Sequence, residues 1–96
     1  MNNIKLKFDI GAILILKEHG YDMFKMKLEE MNDIQYIVTL IYATAIRGGS
    51  NITLDDIKNM SLKQVEPLVK QLEVAMKDGM EGVRHELFQF DKRAVN

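Results

Sequence analysis

The chain contains no cysteine, which excludes a disulfide framework, a thiolate zinc site and a Cys–His nucleophile, and fits a reducing cytoplasm. Its histidines are only His19 and His85 and its serines only Ser50 and Ser61. A Ser–His–Asp triad therefore has little to draw on. Ser61 reads as a helix cap, and Ser50 sits in a glycine-rich loop without a nucleophile elbow around it. There is no surplus of either charge: 13 Lys and Arg stand against 14 Asp and Glu, a net charge of −1. That removes the cation excess with which a protein neutralises nucleic-acid phosphates. The longest apolar run, residues 36–46, is well short of the ~20 residues that span a bilayer. Behind Lys5 and Lys7, Asp9 interrupts what would have to be the apolar core of a signal peptide. The expectations are no cofactor, no nucleic acid, no membrane and a cytoplasmic location.

What is present is a composition of 47% hydrophobic and 28% charged residues in 96 residues, the signature of one folded domain. A domain of this size is expected to be stable by only about 5–10 kcal/mol, so association with further copies would strengthen it. A homo-oligomer is expected.

The spacing of apolar residues predicts a mainly α fold, a compact bundle of about five helices preceded by a short β-strand. Ile4, Leu6, Phe8 and Ile10 alternate with polar residues, the period of a half-buried strand. Asp9 caps a first helix, with Phe8 and Ile13 stapled across the cap, and Gly20 closes it. Asp22 then caps a second helix carrying Met23, Phe24, Leu28 and Met31. Asn32, with Gln35 three residues on, opens a third, whose stripe of Ile34, Ile37, Val38, Ile41, Tyr42 and Ala45 has the 3.6-residue period. Leu40 and Ile46 lie off that stripe, so this helix is expected to be buried on more than one side. Arg47-Gly48-Gly49-Ser50-Asn51 is a loop; it lacks the lysine of a phosphate loop and follows no strand. Thr53 with Asp56, and Ser61 with Gln64, form two capping boxes eight residues apart, predicting a very short helix over 54–59 that turns into a long one.

The long helix carries Val65, Leu68, Val69, Leu72 and Met76 on one face, and Pro67 is expected to bend it or delay its regular start. Asp78-Gly79 and Gly82 loosen the chain beyond. The domain is accordingly drawn as residues 1–79, with 80–96 as a C-terminal extension, helical or partly disordered. Met80, Val83, Leu87, Phe90 and Ala94 have helical spacing there; Phe88-Gln89-Phe90 also reads as a strand face, and a helix is the preferred reading.

The carboxylate pairs Glu29-Glu30 and Asp55-Asp56 carry no histidine at metal-ligand spacing and read as solvated or capping groups. Methionine is abundant, at seven residues. It suits either an irregular core or an adaptable binding surface.

At Lys7-Phe8-Asp9-Ile10-Gly11-Ala12-Ile13, closing with Glu18-His19-Gly20, the chain resembles the tail assembly chaperones of long-tailed bacteriophages of Gram-positive hosts. Those proteins open on a short extended segment, followed by an F-D-x-G-A-I stretch and a helix. A very apolar central helix comes next, then a polar loop, a turn like Ile52-Thr53-Leu54-Asp55-Asp56-Ile57, and a long helix. The likeness runs over residues 4–78. His19 stands where a small polar residue is expected, and the residues after Gly79 have no counterpart.

The resemblance implies a non-enzymatic protein of the host cytoplasm. It would bind the tape-measure protein, keep it soluble and help recruit tail-tube subunits, and would be absent from the mature virion. It also implies that this chain is the shorter product of a programmed frameshift. The residues proposed for partner binding come from the chain itself. Ile4, Leu6 and Phe8 would offer a strand edge to a partner chain, to a second copy, or to the segment of Phe88 and Phe90. The alternative is a small helix-turn-helix DNA-binding regulator, with Lys63, Gln64, Lys70 and Gln71 facing outward. Glu66, Glu73 and Pro67 in the same helix, and the lack of arginine there, argue against it.

Overall fold

Residues 4–8 are extended, yet the alternation of their side chains is satisfied without a sheet. In the computed structural model, which describes residues 4–95 and side chains as far as Glu81, Leu6 and Phe8 are buried while Lys5 and Lys7 face solvent. No β-ladder accompanies them among the described residues. The Lys7 N–H donates instead to the Thr44 carbonyl at 2.9 Å, and the Leu6 N–H to Oε1 of Gln71 at 2.9 Å. The expected strand is thus corrected to an extended strap. A period of two reports which side chains are inward; it does not say what takes up the backbone hydrogen bonds.

Five helices follow: α1 (Ile10–Glu18), α2 (Leu28–Met31), α3 (Ile34–Arg47), α4 (Leu54–Lys58) and α5 (Leu62–Val95). The fold is mainly α, and α3 is its centre, packing against each of the other four. Tyr36, Leu40, Ile41, Ala43, Thr44 and Ala45 are all buried, so α3 is enclosed on more than one side. Of its four fully buried residues, Ile41 and Ala45 lie on the expected stripe and Ala43 and Thr44 beside it, while Ile34 at the start of the stripe is 64% exposed. Thr44 is tolerated in this interior because its hydroxyl donates back to the Leu40 and Ile41 carbonyls.

The helix ends follow local chemistry closely. Asp9 accepts from the Ala12 N–H at 3.0 Å. Thr53 with Asp56 and Ser61 with Gln64 form both reciprocal boxes. Helices α1 and α3 close in the same way. Gly20 (φ +91°) and Gly49 (φ +97°) occupy the left-handed position, while Tyr21 and Ser50 donate back to Leu16 and Ala45, the six-to-one bond of a Schellman end.

Three expectations are corrected. The N-cap of α3 is Asp33, which accepts from Gln35 at 2.7 Å, rather than Asn32. The second helix is one turn long. Asp22 caps only a turn, taking the Phe24 N–H on its carboxylate and the Lys25 N–H on its carbonyl. Finally, α5 runs without interruption through Pro67, Gly79, Gly82 and the Phe88–Phe90 segment to Val95. Residues 88–90 are helical, as preferred from their spacing, and only the alternative of pairing with the strap as a strand is overturned.

Candidate interaction surface

The F-D-x-G-A-I stretch is accounted for residue by residue by packing. Phe8 is 4% exposed and lies over α5, where a Cβ on Gly79 would meet the Phe8 carbonyl oxygen and, at 2.8 Å, its Cβ. Asp9 caps α1 and is also gripped by Arg47 from the end of α3. The guanidinium Nε donates to Oδ1 at 3.0 Å and to Oδ2 at 3.2 Å, and the Nη2 donates to Oδ2 at 3.0 Å. Lys7 Nζ stands 3.9 Å from the same carboxylate. Gly11 makes room for that grip, since a Cβ there would meet Nε of Arg47 and come within 2.9 Å of its Cδ. Ala12 is fully buried, and Ile13 is buried beside it. The motif ties the first turn of α1 to the last turn of α3.

The electrostatics follow from this geometry. Burial pushes the Asp9 carboxyl upward. The Arg47 hydrogen bonds, the Ala12 N–H and the charges of Arg47 and Lys7 outweigh it and hold the group below the ordinary carboxylate range. Arg47 is held up in turn by its bonds to Asp9. The Thr53 N–H and hydroxyl lower Asp56. Tyr36, packed edge-on against Tyr21 at 5.5 Å, is pushed up by burial.

The residues expected to meet a partner are distributed differently from the sequence reading. Leu6 and Phe8 belong to the core. Ile4 is half-buried and lines an open groove between the strap and α5, with Met60, Pro67, Leu68 and Gln71. The side chains of Phe88 and Phe90 lie outside the described residues. His19 is the C-cap of α1 and stacks edge-on against Tyr42 at 5.6 Å. Among the described residues, no group of three histidine or acidic side chains is placed to hold a metal ion, and no buried side-chain nitrogen or oxygen lacks a partner.

The apolar surface that sequence reasoning missed lies around α2. Phe24, Leu28 and Ile34 are 66%, 79% and 64% exposed. Met23, Met26 and Met31 neighbour them in sequence and are half-buried against the core. Ile34 also lines a second open groove, shared with Tyr21, Val38 and Leu54. The signal was present as apolar residues that no single helical face could absorb. It was hidden because residues 22–31 were read as one amphipathic helix.

No protein-family model, curated protein or solved structure matches the chain. No described helix is long and apolar enough to cross a membrane.

Proposed function

We propose that this protein is a non-enzymatic tail assembly chaperone of a long-tailed bacteriophage or prophage, binding the tape-measure protein and assisting recruitment of tail-tube subunits. The observation that carries the reading is the Phe8-Asp9-Ile10-Gly11-Ala12-Ile13 stretch in its place ahead of an apolar central helix and a doubly capped α4–α5 joint. Each residue matching the F-D-x-G-A-I pattern has a packing role, so the resemblance is one of fold. The partner is met elsewhere, on the Phe24, Leu28 and Ile34 side chains. Three large apolar groups so exposed within eleven residues suit an amphipathic helix of the client, and the neighbouring methionines can repack to receive it.

The test is co-expression with the long, helical tape-measure protein encoded nearby. The soluble fraction of that protein is expected to rise, and the double substitution Phe24→Ser with Leu28→Ser is expected to abolish the rise. Unchanged solubility with the unaltered chain would overturn the reading.

A further inference from the structure

Helix α5 changes its apolar period along its length. As far as Met76 its inward residues serve the core: Leu68 and Leu72 are buried, and Val65, Val69 and Met76 pack partly against the same cluster. Gly79 beneath Phe8 is a further packing point. From Met80 onward, Met80, Val83, Leu87, Phe90 and Ala94 are separated by three, four, three and four residues on continuous helical backbone, with Phe88 and Val95 as the other apolar residues. That is the a and d pattern of a coiled-coil seam, with Met80, Leu87 and Ala94 at a and Val83 and Phe90 at d. Phe88 falls outside the seam.

The charges flanking the seam select both partner and direction. Arg84 and Asp91 take e positions, and Glu86 and Arg93 take g positions. In a parallel pair of copies, g faces the e position five residues on, which sets Glu86 against the partner's Asp91, two like charges. In an antiparallel pair, g faces g and e faces e. The register that sets Leu87 opposite the partner's Phe90, and Val83 opposite the partner's Ala94, also sets Glu86 opposite the partner's Arg93. The same register sets Arg84 opposite the partner's Asp91. Two-fold symmetry repeats each of these pairs. One alignment thus satisfies the apolar layers and all four flanking charges together.

We infer that residues 80–95 of α5 form an antiparallel two-stranded coiled coil with a second copy of this chain. The inference does not rest on the chaperone reading: it concerns the free protein, and the co-expression test above does not decide it.

The chain has no cysteine, so introduced ones report orientation. Leu87→Cys and Phe90→Cys versions of the full chain, mixed and oxidised, are expected to give the mixed disulfide in preference to either self-linked dimer. Sedimentation equilibrium of the unaltered chain is expected to give a reversible monomer–dimer equilibrium. E86R turns two attractive pairs repulsive and should weaken that dimer roughly fivefold to tenfold, while E86R combined with R93E restores it. Far-ultraviolet circular dichroism of each variant checks that the helix is retained. A concentration-independent monomer, a Leu87→Cys chain that links preferentially to itself, or a dimer strengthened by E86R would each overturn the inference.

Discussion

Gly79 reverses the usual rule for glycine inside a helix. An exposed helical Gly→Ala change stabilises by up to about 1 kcal/mol. Here the added methyl would strike the Phe8 carbonyl and side chain, and neither can yield without lifting the strap. Gly79→Ala is therefore expected to destabilise by about 1–3 kcal/mol in urea unfolding. A stabilised variant would contradict the close approach. Gly11 is the contrasting case, because what a methyl meets there is the flexible end of Arg47. Gly11→Ala should leave stability nearly level while releasing Asp9 from the guanidinium. Asp9 then becomes easier to protonate, which side-chain carboxyl NMR during an acid titration would register.

Asp9 also sets a pH dependence with a definite sign. Its pKa is lowered in the folded state, so the unfolded chain takes up the proton more readily and stability falls with falling pH. The contribution is complete above the unfolded value of about 4 and disappears as the pH drops through the lower, folded value. Asp56, lowered by Thr53, adds to the same acid limb. Asp9→Asn, which keeps an N-cap side chain, is expected to flatten the decline in thermal midpoint below pH 4. Asp9→Ala should additionally cost about 1 kcal/mol for the lost cap at neutral pH. The cap could be read in the sequence because its partners lie within three residues. The Arg47 grip could not, since 38 residues separate the two side chains and only the packing of α1 on α3 brings them together.

Among the elements, the strap and α2 mark where sequence reasoning stops. The strap's burial pattern was visible in Ile4, Leu6 and Phe8, but its hydrogen-bond acceptors, Thr44 and Gln71, are side-chain and helix-end groups that no local pattern predicts. The short α2 was overestimated because Met23, Phe24, Leu28 and Met31 mimic a helical stripe. The Asp22 turn breaks that stripe, leaving Phe24 and Leu28 66% and 79% exposed. By contrast, α4 and the start of α5 were legible from their two capping boxes alone. Truncating the buried anchor of the strap, Phe8→Ala, is expected to cost about 3–5 kcal/mol. Gln71→Leu removes the acceptor from the Leu6 N–H and should cost about 1–3 kcal/mol, whereas Gln71→Glu retains an acceptor and should cost less. Equal losses for Leu and Glu, measured by chemical denaturation, would show that the bond contributes nothing.

For the molecule as a whole, the residues that carry stability are separate from those proposed to meet a partner. Core positions such as Leu16, Ile41 and Ile57 are at most 1% exposed, while Phe24 and Leu28 stand largely in solvent. Phe24→Ser and Leu28→Ser should each leave the unfolding free energy within about 0.5 kcal/mol of the parent, so a loss of client solubilisation by the pair would report binding and not unfolding. Fold class, helix order and the main core helix could all be read from periodicity. The proposed site could not, because an interaction surface is defined by what the fold leaves uncovered, and that emerges only after the helices are packed.

The strap's anchorage has a consequence for how the protein is made. The strap bonds to Thr44, but it also bonds to Gln71 and lies against Gly79, so residues 6–8 leave the ribosome well before part of what holds them. At ordinary synthesis rates the interval between Phe8 and Gly79 is roughly 4–14 seconds. During that time Leu6 and Phe8 lack the α5 side of their packing. Nascent chains arrested before α5 emerges should therefore expose the N-terminus to protease, and chains arrested after it should protect it.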